Sequence, residues 1–167
     1  MTAGSHAATT AKPVQRIFGL VPYVPLAGFV ITLAIQVISG VDDVKLAALD
    51  VGVFWLIGMN GILLGSGHMF TPAPVAQGIG WATSPFQWEV GLANVATGVL
   101  GVTASAFDRD YTLAAIIAFS IFMLGAAVGH VRSMVRDHNF SPGNAGYIFW
   151  YDIFAPALLI VLFVLTA

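Results

Sequence analysis

Four residues of this sequence can do chemistry from within long apolar stretches: His68, Glu89, His130 and Asp152. Ionisable groups inside a bilayer are costly, usually face the interior of a bundle, and mark function there. Two imidazoles and two carboxylates can ligate a first-row transition metal. Imidazole with carboxylate oxygen suits zinc, iron or manganese, and a 2-His-1-carboxylate set leaves positions open for the iron chemistry of an oxidoreductase. His68 and His130 can instead be axial ligands to a haem b between neighbouring helices, which leaves the carboxylates without a role. A third use is proton relay, which Asp/Glu/His chains serve in pumps. Against all three stands a plainer reading, in which the four make interhelical hydrogen bonds or sit at the membrane interface. A Glu near a helix N-terminus is favoured by the dipole in any case. With no H-E-x-x-H or E-x-x-H box, spacing does not choose among these chemistries. His6 and His138 lie in polar stretches and read as solvated.

These residues need a membrane bundle to position them. The 167-residue chain is 58% hydrophobic and 8% charged, with a mean hydropathy of +0.89, whereas soluble domains carry about 25% charged residues. Six Lys/Arg and eight Asp/Glu are too few to cover a water-facing surface of this size. The class that fits is an all-α integral membrane protein, with the lipid bilayer as its first partner. The absence of cysteine excludes thiolate metal sites and cysteine nucleophiles, and a net charge of −2 gives no nucleic-acid footprint. Residues 1–15 are small and polar and read as a disordered tail; residues 16–167 read as one bundle. No cleavable signal peptide is apparent, because the first apolar run follows a polar tail and contains Pro22 and Pro25.

Five spans are expected. The first runs from about Ile17 to Ser39 and the second from about Leu46 to Phe70, with a Gly61–Gly65 packing face and with Asn60 bonding between helices. Thr71 to Thr83 is a charge-free connector that should lie in the interface, where Trp81 suits the level. The third span, Pro85 to about Phe107, opens on an S-x-x-Q capping box, Ser84 to Gln87. It carries a stripe of Gln87, Gly91, Asn94, Gly98, Gly101 and Ser105 at steps of four and three, which lets a neighbour approach closely. The fourth span covers about Tyr111 to Ser133, with a second Gly-xxx-Gly at Gly125–Gly129. The stretch Asp137 to Asn144 is turn chemistry. The fifth span, about Ala145 to Leu165, holds Asp152 and, four residues later, Pro156, which deprives the carbonyl of residue 152 of its helical donor. Tyr151 lies on another face and reads as an interfacial anchor.

Helix direction then brings the four ionisable residues to one level. His68 and His130 lie near the ends of helices running toward the N-terminal side, and Glu89 and Asp152 near the starts of helices running away from it. At about 1.5 Å per residue, all four fall roughly 3–12 Å from that side. The same side collects Lys12, Arg16, Arg132 and Arg136, against Lys45 and Arg109 opposite. The positive-inside rule therefore places the N-terminus in the cytoplasm and the C-terminus outside.

The pieces Gly80-Trp81, Ser84-Pro85-Phe86-Gln87, Glu89-Val90-Gly91 and Ala93-Asn94 resemble a family of small bacterial integral membrane proteins of unknown function. Gly125 to His130, Asn139 to Gly146, and Tyr151-Asp152 share that resemblance. It implies a membrane bundle, here of the bacterial plasma membrane, and implies no activity. The expected function is a metal-binding membrane protein, with an oxidoreductase as one form of it, in which His68, Glu89, His130 and Asp152 are ligands or hold the ligands in place. The competing expectations are a transporter or channel subunit using the same residues as a proton or ion path, and a structural subunit of a homo-oligomer or larger membrane complex.

Overall fold

The structure, a computed structural model, describes residues 19–167. The expected tail with His6, the start of the first span, and Lys12 and Arg16 lie outside the described residues. Among those described, all regular structure is helical. A 3-10 turn over Val21–Tyr23 leads into α1, Val24–Ile38. Helix α2, Val44–Phe70, is α-helical at both ends and π-helical over Val53–Met59. Then come α3, Pro72–Ile79, α4, Phe86–Thr103, α5, Arg109–Asp137, and α6, Tyr147–Leu165.

Local chemistry sets the boundaries. Asp43 caps α2 by accepting the N–H groups of Lys45 and Leu46 at 2.9 and 3.0 Å. These bonds, that of Leu46 foremost, hold its exposed carboxyl below the usual range. Asp108 caps α5 through the N–H of Tyr111 at 3.0 Å. Gly80 ends α3 in the left-handed region at φ 79°. Only half of the expected capping box forms: Gln87 Oε1 accepts the Ser84 N–H at 3.4 Å, while Pro85 takes the cap position and the Ser84 hydroxyl caps nothing. Pro156 lies inside α6 without ending it.

The core gathers Val53, Leu56 and Ile57 of α2, Ile116 and Phe119 of α5, Leu159 of α6, and Phe29 of α1. Beside it runs a seam between α2 and α4. Gln87, Gly91, Asn94, Gly98 and Gly101 are buried along it. A methyl group added at Gly98 would stand 2.7 Å from the backbone nitrogen of Ile62, and one at Gly61 2.7 Å from the Cα of Gly98. Here the backbones touch. Ser105, the expected sixth member, lies in the 3-10 turn Ala104–Ala106 and is exposed.

The exterior is apolar. Ile38 is 86% exposed, and Phe70, Ile121, Val128 and Val135 are each at least 70% exposed. Four segments are long and apolar enough to cross a membrane: Val21–Ile38, Val44–Phe70, Arg109–Asp137 and Pro142–Leu165. The expected third span differs. Helix α4 has 18 residues, but Gln87, Glu89 and Asn94 dilute its apolar character, and it is not among the four. The expected charge-free connector is also more ordered than its composition suggests, since most of it is α3.

Candidate functional site

The antiparallel helices α5 and α6 carry His130 and Asp152 to one point. His130 lies two turns before the end of α5 and Asp152 about one and a half turns into α6. Their side chains are each 5% exposed, with Nε2 of His130 3.4 Å from Oδ2 of Asp152. The two atoms face each other across that distance, and Oδ2 has no aligned hydrogen-bond donor.

The turn between the helices fixes the ring. A short helical segment, Pro142–Ala145, places Asn144 in full burial beneath His130. Asn144 Nδ2 donates to the carbonyls of Asn139 at 2.8 Å and His130 at 3.4 Å, so its Oδ1 is the atom facing His130 Nδ1 at 2.8 Å. Oδ1 can only accept; Nδ1 therefore carries a hydrogen. The remaining ring nitrogen, Nε2, faces Asp152. One further proton can lie between them, on Nε2 beside a carboxylate or on Oδ2 beside a neutral ring. With it the pair is neutral; without it the pair carries −1.

Helix α3 closes the assembly. Asn139 Nδ2 donates to the Ile79 carbonyl at 2.9 Å and to Ser133 Oγ at 3.3 Å, and Asn139 Oδ1 accepts the Ser141 N–H at 3.1 Å. Gly143 backs onto the carbonyl of Gly78, and a methyl group there would lie 2.7 Å from that oxygen. This docking holds Trp81 over His130, with ring centroids 6.2 Å apart and planes at 23°. Trp81 also lines an open depression of about 490 Å³ with Gly80, Ser84, Gly129, Arg132, Ser133 and Asp137.

The fold does not unite all four expected residues. Glu89 is exposed, on the face of α4 away from the seam. It stands two residues from both Gln87 and Gly91, which are buried, and two residues turn a helix by about 200°. His68 is half-buried, with Nδ1 buried and unpartnered. Among the described residues no three His, Asp or Glu side chains come together as metal ligands. His138 is exposed at the end of α5, with φ 51°. Tyr151 is not an interfacial anchor: it is 6% exposed and donates its hydroxyl to the Leu56 carbonyl at 2.8 Å. Asn144 and Asn139, which hold the pair, were hidden in a stretch whose composition says only turn.

Residues 17–167 match the model of DUF6790, a family of unknown function. The chain belongs to the DUF6790 family. No curated protein and no solved structure matches it. Membership of DUF6790 agrees with the resemblance in its being a family without an assigned activity, and leaves the chemistry to be argued from the pair itself.

Proposed function

We propose that this chain is a five-pass protein of the bacterial plasma membrane that moves protons, with His130 and Asp152 as the proton-holding pair. The observation that carries the reading is a buried imidazole–carboxylate pair whose outer ring nitrogen is occupied by Asn144, leaving one proton position between Nε2 and Oδ2. The pair is uncharged only with that proton in place. An isolated −1 in a low dielectric is expensive, so proton release needs a conduit for charge, as in intramembrane relays. An open depression lined by Trp81, Arg132 and Asp137 lies beside the indole that stacks on His130, and offers a route for solvent toward the pair. At the far end of α5, a second cavity of about 310 Å³ has Asp50, Ser105, Asp108, Arg109 and Thr112 within a largely apolar lining.

In this reading α4 is the fifth span. Its polar Gln87 and Asn94 are buried in the seam, and its length equals that of the first span. Arg132 and Arg136 mark the cytoplasmic end, with the N-terminus on that side and the C-terminus outside.

A metal is the second reading. Asn144 fixes His130 as an outer-shell partner fixes a metal-bound imidazole, and Nε2 and Oδ2 are two ligand atoms for zinc, iron or manganese. It is weaker, because four ligands are the usual need and Glu89 points away. Haem b on His68 and His130 has the same deficit, since His130 Nε2 is directed at Asp152.

The test is proton flux into vesicles of phosphatidylethanolamine and phosphatidylglycerol holding the purified protein, followed with an internal pH dye under an imposed potential. Asp152→Asn keeps the shape and removes the titrating oxygen. It should lower flux by about 100-fold or more, the scale on which one positioned proton carrier acts. Flux equal to wild type in this variant overturns the reading. A stoichiometric metal lost in Asp152→Asn, or a Soret band lost in His130→Ala, replaces it with the metal or haem alternative. A protein without flux, metal or haem that co-purifies with partners is a structural subunit.

A further inference from the structure

The middle of α2 does not keep α-helical register. In an α-helix the Asn60 N–H would bond to the Leu56 carbonyl; here, at the end of the π-helical segment Val53–Met59, it reaches the carbonyls of Ile57 and Trp55. The Leu56 carbonyl accepts the Tyr151 hydroxyl of α6. Segments of π-helix are concentrated at functional sites.

One turn further along α2, the Asn60 side chain is 1% exposed, and no protein group bonds to either its Oδ1 or its Nδ2. The interhelical bond expected of it from sequence is not made. One turn earlier on the antiparallel α6, the Tyr147 hydroxyl is also buried without a partner. Because the helices run in opposite directions, Asn60 and Tyr147 both stand one turn to the same side of the Tyr151–Leu56 bond. The rings of Tyr147 and Tyr151 lie 5.7 Å apart, and Tyr147 lies tilted against Tyr23 at 4.3 Å. Tyr23 belongs to the 3-10 turn that packs against Asn60–Phe70. The unpartnered groups thus lie on neighbouring elements of one layer.

An amide has two donor hydrogens and an acceptor oxygen, and a phenol can both donate and accept. Leaving such groups unbonded costs about 1–3 kcal/mol each, so buried polar groups are almost always satisfied, by water where protein does not serve. Internal water needs two to four polar partners, which the amide and the two tyrosine hydroxyls supply. We infer that Asn60 and Tyr147 form an internal hydration site between α2 and α6. It lies on the α2-facing side of α6, with Asp152 on the adjacent face, so its water continues the proton path from the pair into the bundle. The hydration site stands on hydrogen bonding alone; its role in the path rests on the function proposed above.

Infrared spectra of the full chain in the same vesicles, compared in ordinary and 18O-labelled water, test the site. Wild type should show an isotope-sensitive O–H band of confined water, and Asn60→Leu, similar in size but unable to bond, should lose it. Tyr147→Phe, which removes one oxygen and keeps the ring on Tyr23, should shift the band, and it carries the test should Asn60→Leu fail to fold. A band unchanged in both variants, or absent from wild type, overturns the hydration site. Where the band behaves as expected, flux decides the role: a several-fold fall in Tyr147→Phe and Asn60→Leu supports the path. Unchanged flux in these variants while Asp152→Asn abolishes it overturns the role and keeps the pair. No flux in wild type removes the proton reading and leaves the hydration site standing.

Discussion

Gly61 and Gly65 on α2 and Gly125 and Gly129 on α5 have the same four-residue spacing, yet the first pair is enclosed and the second is open. At Gly65 an added methyl group would meet the Gly91 carbonyl at 2.7 Å and Val95 Cγ2 at 2.8 Å, while at Gly125 and Gly129 nothing lies within 4 Å. The difference comes from the partner. Helix α4 presents Gly91, Gly98 and Gly101 in register with Gly58, Gly61 and Gly65, so two small-residue stripes mate. Helix α5 turns its other face inward, where Ala127, His130 and Ser133 are buried, and leaves its glycines beside Ile121 and Val128 on the exterior. A Gly-xxx-Gly pattern permits close approach; a complementary stripe on a neighbour brings it about.

The strongest way to break this comparison is Gly98→Leu. The seam offers no room, since the contacts facing Gly98 are backbone atoms of Gly58, Gly61 and Ile62 that cannot rotate away. Overpacking a well-packed site costs about 1–3 kcal/mol; with backbone on the opposing side, the loss should reach or exceed the top of that range. Val99→Leu, one residue away and 47% exposed, should leave stability unchanged. Thermal unfolding of both variants in detergent measures the contrast, and equal midpoints would refute the enclosed seam.

Spacing and chain length made much of this fold legible in the sequence. Apolar runs bounded by Gly40, Asp43, Asp108 and Asn144 mark helix positions to within a few residues, because chain length and turn residues dictate them. The stripe on α4 was legible for the same reason, as spacing fixes azimuth on a helix. Depth, by contrast, says nothing about azimuth. His130 and Asp152 come within 3.4 Å of each other, whereas Glu89, at a similar depth, is turned outward by its offset from Gln87 and Gly91. A charge-free run with two prolines and two glycines reads as connector, and so its composition hides α3. Its Pro72 at the first helical position and Gly80 just past the end are nonetheless ordinary start and stop signals. Asn144 could not be found from pattern, since its role depends on a turn folding back beneath a helix.

An intermediate effect is expected where α5 faces inward. Asn144→Leu removes the acceptor for the buried His130 Nδ1, which is left unpaired, and the donor to the half-buried Asn139 carbonyl, which water can replace. With one fully buried group left unsatisfied, the loss should be about 1–3 kcal/mol. The ring of His130 would also be free to reorient, so proton flux should fall along with stability. Thermal unfolding together with vesicle flux checks both; a variant as stable as wild type would show that Asn144 does not hold the pair.

The smallest effect belongs to the open stripe. Gly125→Ala and Gly129→Ala each add a methyl group where nothing stands within 4 Å, so no neighbour must move. Glycine inside a helix is less favourable than alanine by roughly 0.5–1 kcal/mol, because it surrenders more backbone freedom on ordering. Each substitution should therefore leave stability unchanged or raise it by at most that amount, the opposite sign from Gly98→Leu on the same type of residue. Gly125→Leu extends the test, since a bulky side chain is harmless on an exterior already carrying Ile121 at 72% and Val128 at 70% exposed. Unfolding measured over a range of protein-to-detergent ratios reads the outcome. A clear loss that is independent of that ratio would mean the stripe is enclosed within the chain, and the comparison fails. A loss that grows on dilution would mean a second molecule covers Gly125 and Gly129. The two stripes would then differ only in whether the mating helix comes from the same chain.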